Sequence, residues 1–344
     1  QTAALAGLSA RPGERIGDGF GLEAPETVPL MSVQVEPTAP LTQSALLAHL
    51  REMEEEDPLL SVRPEADGVS VGVMGAVQVE VLQGILAARF GDVVRMCPPH
   101  VLYKETIAAP VVGIGHYEPL RHYAEVWLKL EPGAPGSGIS FAADCPPNSL
   151  DENWQRLIRT HVFERAHPGV LTGSPLCDVR IRLIAGRAHL KHTEGGDFRE
   201  ATCRAIRNAL MQAENVLLEP VVRFELAMPN EALARVTGEL LRIGAQLDAS
   251  ETDGGETTLT GRCTAAMFWD YPTQFAASTH GHGRIATRFD RYEPCKNQDD
   301  IVRQSGYDPL ADTLNPPGSV FCSHGAGFYV AWDHVREWAH CEVE

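Results

Sequence analysis

Met31-Ser32-Val33-Gln34-Val35-Glu36 alternates apolar and polar side chains, the two-residue period of a strand with one face buried. Its surroundings decide the fold. Thr42 is placed to cap a helix whose Leu46, Leu47, Leu50 and Met53 share one face. Asp67-Gly68 signals a turn, after which Val69, Val71 and Val73 set alternate apolar groups on one side. The spacing predicts a second helix over 77–90, with Val77, Val81, Leu82, Ile85 and Leu86 as its core stripe and Gly91 just past its end. A last strand is read over 93–96.

The order strand, helix, strand, strand, helix, strand is that of a ferredoxin-like unit. It recurs further on, as a strand over 221–227, a helix over 230–243, a hairpin (245–249 and 257–263) around Asp253-Gly254-Gly255, a helix over 265–279 and a strand over 284–289. Between them lies a segment of different character. It carries strands over 123–130, 139–142 and 179–184, helices over 150–166 and 197–214, and a polar loop over 186–196. The fold class is α+β and multidomain, two ferredoxin-like units flanking a third domain.

Composition narrows the function. The 344 residues have room for roughly two to four domains. A formal charge of -17 argues against a protein that coats nucleic acid over its whole surface, yet residues 153–211 hold ten basic side chains against five acidic ones. A local basic site is therefore expected. No apolar run is long enough to span a membrane, and the first residues lack the charged and apolar regions of a signal peptide. The eight cysteines show no C-x-x-C pair and read as reduced thiols.

Enzymatic readings rest on weaker patterns. His189, His192 and Glu194 can be drawn as a zinc trio, and His280-Gly281-His282 as part of one, but neither has the fixed spacing of a metal motif; no metal ligand and no catalytic residue is assigned. His116, Glu118, His122 and Glu125 suggest acid–base chemistry without a nucleophile beside them. The turn Pro132-Gly133-Ala134-Pro135-Gly136-Ser137-Gly138 suggests the phosphate cradle of a GHMP-type kinase, although it leads into a strand rather than a helix. A metal-dependent hydrolase or such a kinase is the alternative function. No G-x-x-x-x-G-K-[ST] motif occurs.

Longer stretches carry a resemblance. Leu102-Tyr103-Lys104-Glu105-Thr106-Ile107, then residues 123–132 (Tyr-Ala-Glu-Val-Trp-Leu-Lys-Leu-Glu-Pro) and Gly136-Ser137-Gly138, resemble the entry into domain IV of elongation factor G. Gly173-Ser174-Pro175, Asp178, Leu183, Gly186 and His189 continue the likeness, Leu217-Leu218-Glu219-Pro220 resembles the entry to domain V, and Gly283-Arg284 its end. Residues 115–125, 188–199 and 319–328 are most similar to the ribosomal protection proteins of tetracycline resistance.

The resemblance implies a C-terminal fragment of a translational GTPase. Its domains would be 1–30, the tail of a truncated β-barrel domain II; 31–106, domain III-like; 107–219, domain IV-like with the fold of ribosomal protein S5 domain 2; 220–294, domain V-like; and 295–344, a C-terminal extension. GTP and Mg2+ would belong to an N-terminal domain this chain lacks, so the chain is expected to be no enzyme and to hold no cofactor, while the intact protein would hydrolyse GTP. The implied partner is the ribosome, at the 16S rRNA decoding centre and the large-subunit stalk region, for a cytoplasmic monomer with no membrane contact. Carried over by position, Arg121 and His122 in one tip loop, and His189, Lys191, His192 and Thr193 in the other, would touch rRNA. Lys191-His192-Thr193-Glu194-Gly195-Gly196 replaces the family's Asp-Ser-Ser-Glu after the histidine, which favours ribosome rescue or protection over translocation.

Overall fold

A computed structural model describes residues 29–65 and 68–342. The expected β-barrel tail, apart from Pro29 and Leu30, and Asp67 of the expected turn lie outside the described residues. The chain divides into two compact units, residues 29–102 with 220–291, and residues 103–219 with 292–342.

In the first unit, β1 (Met31–Pro37), α1 (Gln43–Glu56), β2 (Arg63–Pro64), β3 (Val69–Val73), α2 (Ala76–Phe90), β4 (Val94–Met96) and β5 (His100–Val101) follow in sequence. Their sheet has the order β2-β3-β1-β4, with β5 also on β1. Thr42 caps α1, its Oγ1 accepting the Ala45 N–H, and Gly91 ends α2 at φ 72°. The expected stripe of α2 is corrected. Leu82 and Leu86 are buried, whereas Val77, Val81 and Ile85 are 58%, 53% and 39% exposed. At about 100° per residue those three form a separate stripe on a helix apolar nearly all round, and periodicity could not say which stripe meets the sheet.

The second unit starts with β6 (Lys104–Ile107), β7 (Val111–Tyr117), β8 (Ala124–Pro132), β9 (Ile139–Ala143), α3 (Glu152–Phe163), β10 (Val179–Ala188) and α4 (Gly195–Gln212). Helix α4 lies close against β7 because two strand residues lack side chains. A Cβ on Gly113 would stand 2.0 Å from Ala205 O, and one on Gly115 1.8 Å from Ala201 O.

Strand β11 (Asn215–Pro229) pairs with β6 over its first residues in the second unit and with the hairpin of the first unit over 221–229. Then come α5 (Leu233–Arg242), β12 (Gln246–Asp253), β13 (Glu256–Thr264), α6 (Ala265–Phe268), α7 (Tyr271–Ser278) and β14 (Arg284–Pro294). The order β12-β13-β11-β14 repeats that of the first ferredoxin-like sheet. Buried side chains of both, from Val33 and Leu50 to Phe224 and Phe275, belong to one apolar cluster. The helix expected over 265–279 is two, parted at Trp269-Asp270, with Pro272 in the first turn of α7 where its missing N–H costs nothing.

The extension adds α8 (Gln298–Ser305), β15 (Ser319–Ser323), β16 (Ala326–Val330) and α9 (Val335–Trp338) to the second unit. Its hairpin completes a six-stranded sheet, β16-β15-β7-β8-β10-β9. Val335 is fully buried with Ile114, Trp127, Phe321 and Val330. Arg204 and Arg207, two of the ten basic side chains over residues 153–211, are buried and hold this extension: Arg204 Nη1 donates to Gly318 O (3.0 Å) and Arg207 Nη2 to Tyr307 Oη (2.7 Å).

Candidate functional site

One end of the second unit is built where β7 turns back into β8 and β10 gives way to α4. In the first turn the His122 N–H donates to Pro119 O (2.9 Å), and Arg121 takes φ 67° with an exposed side chain. In the second, His189 and Lys191 are exposed and Leu190 is 106% exposed at the apex. The two turns are joined through Asp197, which is 2% exposed in the first turn of α4. Its Oδ1 accepts from His122 Nδ1 (2.8 Å), and its Oδ2 accepts from the Glu194 N–H (2.8 Å). A carboxylate at a helix N-terminus also suits the positive end of the dipole.

Thr193 makes the second link. Its hydroxyl donates to Tyr123 O (2.6 Å) and accepts the His189 N–H (2.7 Å), so it braces the loop from inside. The His189 and His192 rings meet edge to face at 4.6 Å. Of the six residues singled out, the fold thus puts Arg121, His189 and Lys191 outward, leaves His122 and His192 half-buried, and turns Thr193 inward. Among the described residues neither Arg121 nor Lys191 has an ion-pair partner. Other arginines of the basic segment do: Arg156 with Glu152, Arg182 with Asp144 and Arg199 with Glu164. Arg121 and Lys191 thus leave positive charge near the tip for a partner.

Behind the turns lies a buried polar group. His116 is 0% exposed, its Nδ1 2.8 Å from Glu125 Oε2 and its Nε2 3.1 Å from Glu118 Oε2. Glu125, also 0% exposed, further accepts from Trp127 Nε1 (2.8 Å) and from the N–H groups of His340 (2.8 Å) and Cys341 (2.7 Å). Burial alone would raise its pKa, but the hydrogen bonds from His116, His340 and Trp127 outweigh that and hold it at about 2. Tyr123 Oη lies 3.0 Å from His340 Nδ1. Burial pushes the Tyr123 and Cys341 pKa values up and that of His340 down, the latter helped by His116.

The enzymatic patterns come apart. The Gly-Ser turn is wrapped round an internal carboxylate: Asp178 accepts the N–H groups of Gly136 (3.0 Å) and Gly138 (2.9 Å). A phosphate cradle needs those donors free, so the turn is not arranged as one. Among the described residues, His189, His192 and Glu194 are not brought together as ligands, nor are His280 and His282 with a third group.

Comparison with known proteins agrees with this architecture. Residues 99–214 match the family model "Elongation factor G, domain IV", and residues 216–301 match "Elongation factor G C-terminus". The chain belongs to the elongation factor G-like family. A crystal structure of a protein from Thermus thermophilus shares the fold at TM-score 0.67 and 24% identity, over 84% of this chain and 45% of its own. This elongation factor G-like chain thus spans less than half of that neighbour. Both tip turns fall inside the domain IV match, whereas His340 lies beyond the end of the C-terminal match.

Sequence reasoning passed over Asp197, Tyr123 and His340 at this elongation factor G-like tip. For Asp197 a signal existed, since an acidic residue three positions after Glu194 at a helix start can close on the backbone. Nothing local marked His340, whose partners are more than two hundred residues away.

Proposed function

We propose that this chain is the ribosome-engaging C-terminal region of a translational GTPase, its domain IV tip contacting 16S rRNA at the decoding centre. The observation that carries it is that Arg121 and Lys191, both exposed and neither with an ion-pair partner among the described residues, stand on turns tied to each other through Asp197. Cations held on such a frame suit phosphate contacts, and the exposed His189 ring offers a surface for an unstacked base. GTP and Mg2+ would be held by a domain outside this chain, and contact with the large-subunit stalk region would come from the first unit. The loop over 191–196 favours a ribosomal protection or rescue factor over a translocase. The factor would act as a cytoplasmic monomer; among the described residues no helix is long and apolar enough to cross a membrane.

The test is co-sedimentation with bacterial ribosomes across a salt series, using the chain and an Arg121→Ala/Lys191→Ala variant. Each lost phosphate contact should remove at most about one unit of the log–log salt slope and weaken binding. Unchanged affinity and slope in the double variant would reject the tip as the RNA-reading surface.

A further inference from the structure

Sequence reasoning assigns no metal site, and among the described residues the loop histidines that suggested one meet no third ligand. A different group converges. Among the described residues, His116, Glu118 and His340 each offer one ligand atom, and these atoms lie within 4.8 Å of one another. The three come from the end of β7, the turn after it, and the far end of the C-terminal extension.

We propose that His116, Glu118 and His340 form a Zn2+-type site with an exchangeable fourth position at the domain IV tip. Two imidazoles and one carboxylate are a donor set suited to zinc, and three protein ligands leave a place for water or another ligand. The surroundings have the form that orients metal ligands. Glu125 Oε2, 2.8 Å from His116 Nδ1, orients the ring so that its Nε2 points at the Glu118 carboxylate, 3.1 Å away. Tyr123 Oη, at 3.0 Å from Nδ1, fixes the His340 ring in turn. Glu118 is steadied by the Cys322 N–H (3.2 Å). With two carboxylates near it, a divalent cation here would be neutralised within the cluster.

The site is closed on one side and open on the other. His116 is fully buried and stacks on Phe321 at 4.1 Å, whereas His340 is exposed and lines an open pocket of about 700 Å³ with Tyr123, Arg187, His189 and Lys191. The exchangeable position would face that pocket. Its cationic rim suits an anionic oxygen ligand on the metal, a carboxylate or a phosphate. The ion would also clamp the extension to β7.

The experiment is Zn2+ titration of the chelator-treated 344-residue chain by calorimetry, with metal content after dialysis and the visible spectrum of the Co2+ form. The expected result is about one ion per chain in tetrahedral geometry. His340→Ala, at an exposed position, and Glu118→Gln, which can still accept the Cys322 N–H, should each weaken binding about tenfold or more. Glu125→Gln should weaken it while leaving a tetrahedral Co2+ spectrum, the mark of a positioning residue. A His189→Ala/His192→Ala variant should bind like the parent. Circular dichroism of each variant separates lost binding from lost folding. Absence of binding by the parent chain, or binding that survives His340→Ala and Glu118→Gln but not the loop substitutions, would overturn the proposal. The ribosomal reading stands or falls separately, on Arg121 and Lys191.

Discussion

Glu105 and Glu125 lie in the same unit, 1% and 0% exposed, and each carboxylate accepts from four donors, yet those donors have different origins. Glu105 accepts from the N–H groups of Leu171, Thr172 and Ser174 and from the Thr172 hydroxyl, all in one loop. Glu125 accepts from two side chains of the β7–β8 pair and from two backbone N–H groups near the chain's C-terminal end. The first carboxylate shapes a loop. The second fastens a distant segment to the tip, and one of its donors is itself an ionisable ring. The same residue type, equally buried and equally satisfied, thus serves a scaffold in one place and a junction between remote parts of the chain in the other.

The comparison can be broken most severely at Glu105. Glu105→Ala leaves three loop N–H groups without an acceptor and should cost about 3 kcal/mol or more of unfolding free energy in urea. A loss under about 1 kcal/mol would mean that water replaces the carboxylate and that the loop needs no anchor. Gly169→Ala tests the same loop from outside, since its Cβ would stand 2.0 Å from Glu105 Oε2; a loss of about 2 kcal/mol is expected in the same assay.

Ending the chain after Ala339 addresses the junction. It removes two of the donors to Glu125 and should cost about 1 to 2 kcal/mol, with faster hydrogen exchange in β15 and β16. Unchanged exchange there would show that Val335 and its apolar neighbours hold the extension by themselves.

The smallest effect sharpens the contrast through pH. His167 begins the Glu105 loop, is 2% exposed, and has its Nε2 2.9 Å from Val162 O. Burial lowers its pKa, outweighing the hydrogen bond to Val162. The unfolded chain therefore binds the proton more readily than the folded one. Stability is full above the ordinary histidine value near about 6.5 and falls as pH drops below it, through the lowered folded value. His167→Gln should flatten that part of the stability–pH curve, measured by urea unfolding at stepped pH; a curve with unchanged slope would place the pH sensitivity elsewhere.

Much of the fold was legible because its signals are local. The alternation of Met31–Glu36, the cap at Thr42, the stop at Gly91 and the turn at Gly254 each act within a few residues, and the structure has them. The site was legible in outline only. Arg121 and Lys191 could be named from position, but nothing near Thr193 in sequence shows that its hydroxyl turns inward to Tyr123.

By itself, then, the sequence determined the element types, the two ferredoxin-like repeats and the family likeness, since hydrophobic period, caps and turn residues are properties of neighbouring positions. Tertiary structure alone decided which stripe of α2 is buried, that Arg204 and Arg207 hold the extension rather than a ligand, that Asp178 occupies the Gly-Ser turn, and that His340 arrives beside His116. The physical reason is the same in each case. A helix face, a cation or a carboxylate has several partners of comparable strength open to it, and only the closed chain determines which one comes within reach.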